Sequence, residues 1–232
     1  MAEAVVEQVS LRERKKARTR AALVEVSQRL FAEQSYSATT LDHICAVVEV
    51  TPQTLLRYFD SKAQLALAPM SDAAHELRTF LEHPDRQLKA IVVWQEFVTL
   101  EVNEVLEPSM PITASHLHNL RAFQRWTERD PVLVAMATDI ERQLREILAV
   151  AMAHDWGAPP DDLHATVVAG ALVAGRLAAW SRWLAGDDEP GSLLDEQLAV
   201  IAYVKKRMPR STAEQLELRT HAPGANPDHV PA

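Results

Sequence analysis

Apolar residues recur along this chain with helical spacing. Leu23, Val26, Leu30 and Phe31 fall on one stripe, which predicts a first helix over about 12–34. Leu41, Ile44, Cys45 and Val48 form the buried face of a short second helix, and Thr39 with Asp42 has the spacing of a capping box at its start. A break follows at Glu49–Val50. Thr51 is then a suitable N-cap, and Pro52 fits the first helical position, where a missing N–H costs nothing. A third helix over Pro52–Phe59 turns Leu55 and Phe59, with Val50 before it, inward. Ser61 and Gln64 form another capping-box pair that opens a fourth helix, which Pro69 should kink or interrupt. Five more helices are predicted at about 84–106, 112–127, 130–155, 160–185 and 191–208, with Pro108 and Pro111 in a loop between the first two of these.

The fold class expected is all-α. A three-helix helix-turn-helix domain at 12–60 follows an N-terminal extension at 1–11. A helical bundle at 61–208 comes next, and a tail at 209–232 has lost its periodicity and is expected to be mobile. Two short helices joined by a tight turn and packed on a longer one make the helix-turn-helix pattern, in which the second short helix enters the major groove of DNA. On that helix Pro52, Gln53, Thr54, Arg57 and Tyr58 are expected to face outward. Gln suits the edge of adenine and Arg that of guanine, while Thr and Tyr suit phosphates. Lys62 is expected in the first turn of the fourth helix, with its ammonium toward a phosphate.

Composition narrows the class. Of 232 residues 47% are hydrophobic and only six are glycine, which favours an ordered, helix-rich chain. Cys45 is the only cysteine, so no internal disulfide can form and a reducing, cytoplasmic setting is expected. The opening MAEAVVEQVS lacks the basic and apolar regions of a signal peptide. No apolar stretch reaches the roughly 20 residues of a membrane helix, and "ATVVAGALVAGRLAAW", cut by Arg176, reads as a buried helix, so no membrane partner is expected.

Net charge is −8, yet it is unevenly spread: residues 1–62 carry nine basic and eight acidic side chains, against fifteen and twenty-four in the remainder. Arg12, Arg14, Lys15, Lys16, Arg18 and Arg20 crowd into ten residues with Glu13 as the single acid. Such a run can be a solvated helix face or the electrostatic footprint of a nucleic-acid site. No Gly-rich phosphate loop, nucleophile elbow or zinc signature occurs, and His43 with Cys45, or His116 with His118, sit two apart and face different ways, so no enzyme, cofactor or metal is expected.

The segment "TRAALVEVSQRLFAEQSYSATTLDHICAVVEVTPQTLLRYFDSK" resembles the DNA-binding domain of the TetR family of bacterial transcriptional regulators, specifically over about 18–67. The likeness rests on the aromatic after "LFAEQS", the "TT" before the second helix and the run "TLLRYFDSK". It implies that Thr40, Thr51, Pro52, Gln53, Arg57, Tyr58 and Lys62 face DNA. The chain departs from the family pattern at Ser35 and Glu49, where Gly is frequent. Neither favours positive φ, so those corners are expected to be built differently or mildly strained. Leu56 replaces a frequent Tyr, and Gln53 a frequent Gly.

Beyond this domain, Trp94, Phe97, Phe123, Trp126, Met136 and Trp180 lie at inward-facing positions. They read either as ordinary core or as the lining of a gap that admits an apolar effector. Ala169, Gly170, Ala174 and Gly175 leave one side of the eighth predicted helix low, fit for close packing within the domain or against a second copy of the chain. The resemblance implies a homodimer, and hence a dimeric repressor released from double-stranded operator DNA by a small lipophilic effector. Alternatives from other classes are a DNA-binding regulator with no effector and a helical enzyme or carrier for an apolar ligand.

Overall fold

The computed structural model describes residues 11–105, 114–186 and 190–208. The N-terminal extension, the loop with Pro108 and Pro111 and the tail at 209–232 lie outside these. Among the described residues there are ten helices and no strand: α1 (Leu11–Gln34), α2 (Leu41–Val48), α3 (Pro52–Leu56), α4 (Lys62–Ala66), α5 (Ala68–Leu81), α6 (Ala90–Val105), α7 (Ala114–Arg129), α8 (Pro131–Asp155), α9 (Leu163–Ala185) and α10 (Pro190–Lys205). The protein is all-α, with an N-terminal helix-turn-helix and a helical C-terminal part.

Several boundaries differ from the periodicity reading. The fourth predicted helix is two, α4 and α5, because Pro69 in the first turn of α5 cannot donate back into α4. The third stops at Leu56, with Arg57 and Tyr58 in a turn. The helix expected from 84 begins at Ala90. Its first N–H is taken by Asp155 at 2.5 Å, and Arg86 donates to the same carboxylate at 2.7 Å, so a residue 65 positions away sets the start. The helix expected from 160 begins at Leu163, where Asp162 caps by accepting from the Ala165 N–H at 2.8 Å.

Two corners take the strained conformation. Ser35 has φ 78° and Glu49 φ 58°, both in the left-handed region. The turns that a glycine would fill are therefore built the same way here, at a cost of about 1 kcal/mol each. Thr39 does not cap α2. It is fully buried and donates to the carbonyls of Leu30 (3.2 Å) and Ser35 (2.9 Å), fastening the end of α1. Thr40 is the cap, accepting from the His43 N–H at 3.1 Å.

The chain divides into two compact units. The first holds α1 to α4, α5 through Ala73, α7 and α8 through Ile140. Its core is Leu23, Leu30, Phe31, Ile44, Leu55, Phe59 and Leu65. Arg20 grips Asp72 on α5 through two bonds of 2.6 and 2.7 Å, and Gln28 donates to the Ala66 carbonyl at 2.8 Å. α4, the start of α5 and all of α7 belong to the same unit as the first three helices. The second unit holds α5 from Ala74, α6, α8 from Glu141, α9 and α10, with α10 against both α9 and α6. Trp94, Leu144, Leu148, Met152, Leu172 and Leu193 form its core.

One expectation about apolar length is corrected. By length and composition α9 could cross a membrane, its most apolar window having a mean hydropathy of 1.4. Ala165, Val168, Ala169, Leu172, Val173, Arg176, Ala179 and Trp183 of this helix are buried in the second unit, as a core helix requires.

Candidate nucleic-acid interface

The surface of interest is made by α2, α3 and the turn between them. Thr51 accepts from the Thr54 N–H at 3.1 Å, and Pro52 occupies the first helical position. These fix where α3 begins. Leu55 and Phe59 are buried, which fixes its rotation. The remaining faces are thereby set: Pro52, Gln53, Leu56 and Arg57 are exposed, while Thr54 and Tyr58 are half-buried. Arg57 keeps helical dihedrals (φ −78°, ψ −16°), so Gln53, Leu56 and Arg57 follow the spacing that puts side chains on one face. Thr40 and Thr51 are exposed, with hydroxyls engaged as caps. Arg12, Arg14, Lys15, Lys16 and Arg18 are exposed along the first half of α1. Arg20 is not part of that free run, because Asp72 holds it and its guanidinium lies 5.1 Å from the Phe59 ring centre.

Lys62 sits differently from expectation. Its ammonium donates to the backbone carbonyls of Tyr36 (2.8 Å) and Thr39 (3.1 Å) and lies 4.2 Å from the centre of the Tyr36 ring. Burial pulls its pKa below the usual lysine range, and Asp130 acts in the opposite direction. The ammonium is held at the α1–α2 corner, where two carbonyls left over need donors. The Ser61–Gln64 box forms, although Gln64 reaches the Asp60 N–H (2.5 Å) instead of that of Ser61.

The corner continues into an aromatic cluster that the periodicity reading missed. Tyr36 stacks on Trp126 of α7 at 5.4 Å and 15°, Phe31 meets both rings, and Phe123 meets Trp126 edge-on at 4.6 Å. Burial, and then Asp130, raise the Tyr36 pKa. A groove of about 660 Å³ borders this cluster, with Arg125, Arg129 and Asp130 along it. The sequence signal was the aromatic Tyr36 placed just after the end of a helix.

Residues 23–68 match the family model described as bacterial regulatory proteins, tetR family, and residues 105–205 the model described as the MftR C-terminal domain. The HTH-type transcriptional regulator TcmR of Streptomyces glaucescens is 32% identical over 149 residues. The chain belongs to the TetR family of bacterial transcriptional regulators. The TcmR match covers 60% of this chain and 62% of TcmR, so the chain spans less than two thirds of that relative. SmeT of Stenotrophomonas maltophilia in complex with triclosan has a similar fold: TM-score 0.60, 18% identity, covering 93% of this chain and all of SmeT. So does Thermus thermophilus FadR in complex with lauroyl-CoA: TM-score 0.56, 18% identity, covering 89% of this chain and all of FadR.

In this TetR-family chain the six bulky residues expected to line one gap divide between the units. Phe123, Trp126 and Met136 belong to the first, and Trp94, Phe97 and Trp180 to the second. Trp94 is buried beside Phe97 at 5.5 Å, and Trp180 meets Trp183 edge-on at 5.9 Å. The second unit also holds a buried ion pair. Arg176 on α9 donates through Nε to Glu101 on α6 at 2.7 Å and through a second, shorter bond, and Trp180 approaches the same carboxylate. An arginine inside an apolar helix signalled that a buried acid must lie opposite it. Burial pushes the Glu141 carboxyl above its usual range, against the pull of Arg176 and Arg145. Of the four small residues on α9, Ala169 is fully buried within its own chain, and Gly175 faces Val200 of α10. Only Gly170, half-buried, and Ala174, exposed, remain on the outer side.

Proposed function

We propose that the protein is a homodimeric repressor that binds double-stranded operator DNA through α3 and is released by a small lipophilic effector held in the second unit. The observation that carries the DNA-binding part is the exposed pair Gln53 and Arg57, on α3 and at its end, where the helix start and rotation are fixed by Thr51 and Leu55. Exposed basic residues on α1 supply the sequence-independent attraction, and the −8 net charge does not oppose a footprint that is local. A symmetric dimer sets two such helices about 34–36 Å apart, one turn of the duplex. The outer side of α9, with Leu163, Val167, Ala171, Ala174 and Ala178 exposed, supports that dimer face. The effector reading draws on the apolar interior of the second unit and on SmeT and FadR, each captured with a small molecule. Within that unit Arg176 and Glu101 are the polar groups that would fix an effector's orientation. The effector acts through its difference in affinity for two arrangements, a coupling typically worth about 1–3 kcal/mol.

Selection of bound fragments from the source genome tests the reading. Enrichment of a two-part site is expected. Gln53→Ala and Arg57→Ala should each lose about 1–3 kcal/mol at particular base pairs. Equal losses on every operator variant would make these phosphate contacts, and no enriched fragment would end the reading. A thermal-shift screen with lipophilic compounds separates an effector-responsive regulator from one without an effector.

A further inference from the structure

Leu56 is 52% exposed on the outward face of α3. The core does not need it, because Leu55 beside it is fully buried and fills that role. A single exposed leucine is ordinary on a protein surface. Its position gives this one meaning: it lies three residues after Gln53 and directly before Arg57, on the face those two share. In the major groove the one apolar feature of the base-pair edges is the C5 methyl of thymine. Adenine offers N6 and N7 to an amide such as that of Gln53, and each such pair carries a thymine methyl on the same groove floor.

We propose that Leu56 is a specificity-determining residue that packs on a thymine methyl beside the adenine taken by Gln53. The inference rests on the DNA-binding reading above and adds a base preference that polar contacts alone do not supply. It predicts an A·T-rich step at the centre of the contact of each α3. Cytosine and uracil carry only a hydrogen at C5, so at that place the apolar side chain meets no methyl and keeps its water.

The experiment uses the full chain and the operator selected by the wild-type protein. If no fragment is selected, the DNA-binding reading fails, and that failure is distinct from any result below. Each thymine of the operator is replaced singly by deoxyuridine, which removes only the C5 methyl. For the wild type, one position per half of the site should lose about four-fold in affinity, the factor for burying one methyl group. The same replacement should leave Leu56→Ala indifferent. Leu56→Gln, which keeps bulk but loses the apolar end, should behave as Ala does. Both variants change a half-exposed side chain outside the core, and circular dichroism checks that they fold. Two results overturn the proposal: no thymine whose methyl matters to the wild type, or a methyl effect that persists undiminished in both variants.

Discussion

Gly170→Ala and Gly175→Ala make the same chemical change on the same helix, and the structure gives them opposite signs. Each gains about 1 kcal/mol of helix propensity. At Gly170 the new Cβ would lie 3.6 Å from Cδ of Arg145, ordinary contact with an exposed and flexible side chain. At Gly175 it would come closer than 3.0 Å to Cγ1 of Val200 and to 3.4 Å from its Cβ and Cγ2. Valine on a helix has one strongly favoured χ1 rotamer, so Val200 must leave it or α10 must slide away from α9. Overpacking of this kind costs about 1–3 kcal/mol, which outweighs the propensity gain and leaves a net loss of about 1 kcal/mol. The two variants should then differ by about 2 kcal/mol, or about 4–8 °C in melting temperature for a chain of this size. Urea titrations followed by circular dichroism, at one fixed protein concentration, read the difference directly. Adding Val200→Ala to Gly175→Ala should recover more than the two single changes predict by addition, because the alanine makes room for the new Cβ. If Gly175→Ala is as stable as Gly170→Ala, or if the double variant shows no such coupling, the close α9–α10 crossing drawn here is wrong.

Three further outcomes are expected. Lys62→Met should lower stability by about 2 kcal/mol in denaturant titrations, since it strands the Tyr36 and Thr39 carbonyls, and it should lower operator affinity no more than misfolding accounts for; a stable variant that instead loses salt dependence would return Lys62 to the phosphate contacts. Glu49→Gly should raise stability by about 0.5 kcal/mol, because relief of the left-handed strain slightly exceeds the cost of glycine's freedom in the unfolded chain, whereas Glu49→Val should lower it. Glu141 has a folded pKa raised above its usual 4.5, so both states hold the proton below that value and stability falls as pH rises through the folded pKa. Glu141→Gln should therefore melt higher than the wild type at pH 7, with the gain fading toward pH 4; a lower melting temperature at pH 7 would mean that attraction to Arg176 and Arg145 outweighs burial.

Most of the helix-turn-helix was legible in the sequence, because its signals are local. Thr51 before Pro52 sets the start of α3 by a side-chain bond three residues long, and the spacing of Leu55 and Phe59 sets which side is buried. Pro69 breaks a helix wherever it falls inside one, since it lacks the donor that a helix uses. These effects act within one or two turns and need no knowledge of what lies across the fold. What the tertiary structure alone decided are the partners that the chain brings from far away. Asp155 starts α6 from 65 residues off, Glu101 takes Arg176 from 75, and Trp126 covers Tyr36. Lys62 shows the difference most clearly. Its place at the head of α4 followed from Ser61 and Gln64, but the direction of its ammonium was settled by two carbonyls on the α1–α2 corner. The small side of α9 is a second case, since sequence spacing marked it as a place for close approach. That its Gly175 edge is filled by Val200 of the same chain, leaving Gly170 and Ala174 on the outer side, depends on how α9 and α10 cross. Helix periodicity fixes which residues share a face, and only the packing of distant helices decides what that face meets.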